Sequence, residues 1–174
     1  MINVQNMLID DQIWTTLCNV KYNSYCLGFV VSRFQKWERN MNIFLAVTSS
    51  GSIAAWAIWT KMPMLWGTII AASQVVNVIK PFLPYFKYVK ELNAKNFQME
   101  MLSIEFEKLW NEVYNKTISP KDKSDCYFKL KDQMVGLLRF GDDTIFEVDD
   151  TIKGKAEKQM DIYLKNNYSI VREN

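Results

Sequence analysis

Histidine does not occur among the 174 residues, which excludes Ser-His-Asp and Cys-His catalysis and every histidine-ligated zinc site. Cysteine is scarce. Cys18, Cys26 and Cys126 show no CxxC spacing and cannot form a four-thiolate site, so free thiols are expected. The six glycines are isolated, so neither a phosphate-cradling loop nor a dinucleotide fingerprint exists. No secretory signal is expected, because the first basic residue is Lys21 and Asp10-Asp11 interrupts the early apolar stretch. The formal charge of +2 divides as +1 over residues 1–40, +2 over 41–84 and −1 over 85–174. No basic face announces nucleic acid as a partner.

Carboxylates cluster once, as Asp142, Asp143, Glu147, Asp149 and Asp150. Capping of a final helix from about Asp149 to Asn167 accounts for the last pair without a metal. The residue types that remain point away from an enzyme, a cofactor and a metal site.

What is present is a run from Met41 to Ile79 with one charged side chain, Lys61. At about 1.5 Å per residue, Met41–Thr60 covers roughly 30 Å, the thickness of a bilayer's hydrocarbon core. Met62–Ile79 continues the pattern, with Lys61 and Pro63 at the turn. The expectation is an all-α membrane protein: N-terminal helices over 1–40, a transmembrane hairpin over 41–84 (segments 41–60 and 62–83), and a helical region over 85–174. The helices from both termini would then form one cytoplasmic domain. The alternative is a hairpin buried inside a globular helical protein, which the hydroxyl-rich Thr48-Ser49-Ser50-Gly51-Ser52 favours.

Flanking residues favour the membrane reading. Arg33, Lys36 and Arg39 precede the run, and Lys80, Lys87 and Lys90 follow it, which places both termini in the cytoplasm by the positive-inside rule. Trp59 and Trp66 near the turn, with Trp37 and Tyr85 at the other boundary, would be interface anchors. Small residues at helical spacing, Ala46, Ser50 and Ala54 with Gly51, and Gly67 with Ala71, are candidates for close helix packing. Ser73, Gln74, Asn77 and Lys80, with Thr48 or Ser52, are candidates for interhelical hydrogen bonds or for a pore wall in an oligomer.

Outside the run the signals are helical. Ile13, Leu17 and Val20 recur at spacings of four and three behind a cap at Asp10 or Asp11, and a second helix is expected from about Asn23. After Pro81 and Pro84 a long helix carries Met99, Leu102, Phe106, Leu109 and Val113 on one stripe. Ser119-Pro120 opens another, expected to bury Phe128, Leu130, Met134, Val135, Leu137 and Leu138. The final helix has a thin apolar side of Ala156, Met160, Ile162, Tyr163 and Leu164.

The order of parts, with Arg33-Phe34-Gln35-Lys36-Trp37-Glu38-Arg39 entering the run and Asp150-Thr151-Ile152-Lys153-Gly154-Lys155-Ala156 before Met160-Asp161-Ile162-Tyr163-Leu164, resembles the SLATT family. These are two-transmembrane effectors of bacterial antiphage systems. The resemblance is one of architecture and covers most of the chain. It implies an inner-membrane, multi-pass effector with the lipid bilayer as partner. Such an effector oligomerises and permeabilises the membrane when a cyclic nucleotide or a regulatory partner protein triggers it. A non-conducting scaffold or accessory subunit, or a soluble helical adaptor, are the other readings.

Overall fold

The computed structural model describes residues 2–54, 63–79, 84–138 and 148–168. They form five helices: α1 (Ile2–Ala54), α2 (Pro63–Ile79), α3 (Pro84–Tyr114), α4 (Pro120–Leu138) and α5 (Asp150–Tyr168). The all-α expectation therefore stands, and the spanning hairpin does not. Among the described residues no helix is long and apolar enough to cross a membrane. The 17 residues of α2 reach only about 26 Å, short of the roughly 30 Å a hydrocarbon core requires. Within α1, the described uncharged part, residues 41–54, covers about 21 Å and contains the hydroxyl cluster. The multi-pass inner-membrane placement, which rested on this hairpin, is corrected with it.

Two further expectations change. The N-terminal stretch is not two helices: α1 starts at Ile2, so Asp10 and Asp11 lie within it and cap nothing, and it runs unbroken through Asn23. Gly28, at which a break is cheapest, keeps a negative φ. In α4 the buried stripe is Lys123, Tyr127 and Leu130, while Phe128 is 53% exposed and Val135 44%. Long side chains with polar ends decide this register: Lys123 ion-pairs with Asp10 of α1, and the Tyr127 hydroxyl lies 3.3 Å from Thr16 Oγ1. Both bury their stems and keep their polar ends partnered. Leu138 has its side chain outside the described residues.

The chain divides into two compact units, residues 1–30 with 93–174, and residues 31–92. In the first, Ile13, Leu17 and Val20 of α1 pack with Met99, Leu102, Phe106 and Leu109 of α3 and with Tyr127 and Leu130 of α4. α5 buries Ile152, Ala156, Met160 and Leu164, a strict four-residue repeat along one face.

Local chemistry fixes the ends of these helices. α3 stops in a Schellman motif: the Thr117 N–H donates to the Glu112 carbonyl at 3.0 Å and the Lys116 N–H to that of Val113 at 3.1 Å. Lys116 sits there at φ 54°, where glycine is the unstrained choice. Ser119 caps α4 by accepting the Asp122 N–H at 3.2 Å, with Pro120 at the first helical position. Asp149 caps α5 by accepting the Ile152 N–H at 2.9 Å.

The second unit is differently built. α2 carries no charged residue, yet Met64 is 88% exposed, Val78 65%, Val75 55% and Leu65 54%. On the α1 side of this unit Ile43 and Val47 are likewise exposed.

Candidate functional site

In the first unit the residues with chemistry gather around Glu107. It lies on α3, next to the fully buried Phe106, and so is held against the core. Its Oε1 accepts the Lys21 ammonium at 2.7 Å and the Tyr163 hydroxyl at 2.7 Å. Helices α1, α3 and α5 thus meet on one carboxylate oxygen. The Lys21 Nζ also stands 4.7 Å from the centroid of the Tyr163 ring, within cation–π range. Tyr163 has a single O–H and gives it to Glu107, so the 3.4 Å contact with Tyr168 runs from the Tyr168 hydroxyl to the Tyr163 oxygen.

Beside this hub lies a cleft of about 790 Å³, lined by Asp11, Trp14, Glu107, Trp110, Asn111, Tyr114, Asn167 and Tyr168. The volume is that of a small-molecule site. Trp14 is its central ring, with a centroid 4.9 Å from Trp110 at 43° and 4.8 Å from Tyr168 at 81°. Glu107, Trp110, Asn111 and Tyr114 come from one α3 face because they are spaced by three and four residues. Asp11 and Trp14 share a face of α1 for the same reason.

The tyrosines of this cluster, and Cys26, hold their protons. Burial, and then the hydrogen bond to the Glu107 carboxylate and its charge, push Tyr163 far above its ordinary value. Burial also raises Tyr168. Tyr25 rises by burial and by the Glu107 charge. Cys26 is raised by burial more than its Tyr22 hydrogen bond lowers it, so it is a thiol rather than a thiolate nucleophile. The cluster can donate hydrogen bonds, stack and attract charge.

The residues singled out from the sequence lie elsewhere. Thr48 donates back to the Phe44 carbonyl at 2.9 Å, and buried Ser73 to that of Ile70 at 2.8 Å, so both hydroxyls are satisfied within their own helices. Gln74 and Asn77 are exposed, as are Ala46, Gly67 and Ala71, and a Cβ built on Gly67 would meet nothing within 4 Å. Arg33, Lys36 and Arg39 are exposed, and Trp37 is 65% exposed. The side chains of Ser50, Gly51, Ser52, Ala54, Trp59, Trp66, Lys80, Tyr85 and Lys87 lie outside the described residues, as do Asp142, Asp143 and Glu147. No group of three potential metal ligands occurs among the described residues.

None of the cleft residues was singled out as a site from the sequence. The available signal was Trp14 in the first helix with Trp110, Tyr114 and Tyr168 near the ends of two others, alongside a glutamate and a lysine bordering apolar stripes. Comparison with known protein families, with curated proteins and with solved structures finds no match.

The raised Tyr163 makes stability depend on alkaline pH with a definite sign. The folded state keeps the proton while the unfolded state releases it near 10.0, so the contribution is complete below that pH and is lost above it. Replacing Tyr163 with Phe should cost about 1 kcal/mol at neutral pH, for a half-exposed bond to a charged acceptor. Urea unfolding of both proteins between about pH 7 and pH 11 should show the gap narrowing above the tyrosine range. A gap independent of pH would contradict this.

Proposed function

We propose that this protein is a non-catalytic helical adaptor that binds a ligand or a partner's side chain in the cleft of its first unit. The observation that carries the reading is the 790 Å³ cleft walled by Trp14, Trp110, Tyr114 and Tyr168. Large rings in a concavity provide contact area at little entropic cost. The neighbouring tyrosines and Cys26 are held protonated, which suits binding better than proton abstraction or nucleophilic attack. A cyclic nucleotide suits this cleft poorly, because its lining has two carboxylates and no lysine or arginine to meet a phosphate. A pore wall would require a spanning hairpin, and among the described residues no helix is long and apolar enough to cross a membrane.

The exposure of Met64, Leu65, Val75 and Val78 on the uncharged α2 favours a second property. Apolar area of this kind is stabilised when covered, and a second copy presents the same charge-free face. The adaptor would then bind through its first unit and assemble through α2.

Two experiments test these readings. With 5-fluorotryptophan incorporated and resonances assigned through Trp14→Phe and Trp110→Phe, a panel of amines, carboxylates, phosphates and neutral sugars is titrated by fluorine NMR. At least one class should shift both cleft resonances, and a panel that shifts neither contradicts the binding reading. Sedimentation velocity should give an oligomer that the double variant Val75→Lys/Val78→Lys converts to monomer. A monomeric parent protein contradicts assembly through α2.

A further inference from the structure

We infer that the cleft takes an organic cation, an ammonium or guanidinium group on a short apolar carrier. The inference rests on the binding reading above and names the ligand class. The charged groups lining the cleft are Asp11, exposed at its edge, and Glu107, half-buried in its wall, both anionic. The rings supply the complementary attraction, since an aromatic face carries negative quadrupolar charge. Trp14 meets Trp110 at 43° and Tyr168 at 81°, so the rings that line the cleft lie in different planes. Asn167, whose amide nitrogen donates to the Tyr163 carbonyl, adds an amide oxygen that accepts N–H donors.

The chain already performs this recognition once, within itself. The Lys21 ammonium is held by Glu107 at 2.7 Å while standing 4.7 Å from the Tyr163 ring centroid. The same carboxylate, with Trp110 one turn further along α3, would offer a ligand an equivalent pairing. Both intramolecular bonds end on Oε1, and Oε2 takes neither of them. A phosphate or carboxylate ligand would meet repulsion from Asp11, with no lysine or arginine among the lining residues to receive it. A neutral sugar could stack on the rings but would draw nothing from the two charges.

Isothermal titration calorimetry on the intact chain decides the class. The probes are spermidine, a blocked Gly-Lys-Gly peptide, adenosine monophosphate and N-acetylglucosamine. Spermidine, the lysine peptide or both should bind, and binding should weaken with added salt. Trp110→Leu should weaken it about tenfold. Asp11→Asn, at an exposed position that leaves the fold intact, should weaken it roughly two- to fivefold. Tighter binding of the peptide assigns a protein side chain as the source of the cation, and tighter binding of spermidine a free polyamine. Binding of the monophosphate or the sugar but of neither cation overturns the inference while leaving the binding reading intact. Cation binding indifferent to both substitutions also overturns it. If no probe binds here and the wider panel also fails, both readings fall together.

Discussion

A carboxylate held beside a hydrophobic core is tolerated only when its charge is met, and the first unit is arranged around meeting it. Glu107 follows Phe106, whose side chain is fully buried, so helix geometry alone brings the acid to the edge of the core. Lys21 from α1 and Tyr163 from α5 both reach its Oε1. An ion pair of this kind adds little net stability over an apolar replacement, but removing one partner leaves the other poorly solvated and uncompensated. Its main effect is geometric. Apolar stripes can slide by a turn at modest expense, whereas two donors converging on one oxygen fix the registers of three helices together.

The cleft follows from that registration. Trp14, Trp110 and Tyr168 come from α1, α3 and α5, and they meet because Lys21, Glu107 and Tyr163 hold the same three helices. Tyr168 is linked to the hub directly through the hydroxyl of Tyr163. The residues that line the cleft and those of the hub are therefore neighbours on the same elements, so an occupant of the cleft would touch the packing of all three helices. One of these, α1, continues as a single helix to Ala54 and supplies residues to both units.

Much of the first unit was legible because it depends on local chemistry. The spacing of Ile13, Leu17 and Val20, the α3 stripe, the Ser119-Pro120 start and the Asp149 cap all appear where periodicity and capping place them. The α4 register was not legible, because hydrophobicity alone ranks Phe128 above Lys123 and Tyr127, whose burial depends on partners more than a hundred residues away. The cleft was illegible for the same reason, since no local pattern relates Trp14 to Tyr168. In the second unit the run with Lys61 as its one charge points to lipid when read from sequence alone. Such a run says only that water is a poor neighbour, and helix length within the described residues decides against a span.

The convergence of Lys21 and Tyr163 on one oxygen is tested most directly by a double-mutant cycle. Lys21→Met and Tyr163→Phe, alone and combined, are compared by urea unfolding at neutral pH. Two donors sharing one acceptor should be coupled by about 0.5–1 kcal/mol, with the double variant departing from the sum of the single losses. Losses that add to within about 0.3 kcal/mol would mean that the two side chains act independently and that no common hub holds the three helices.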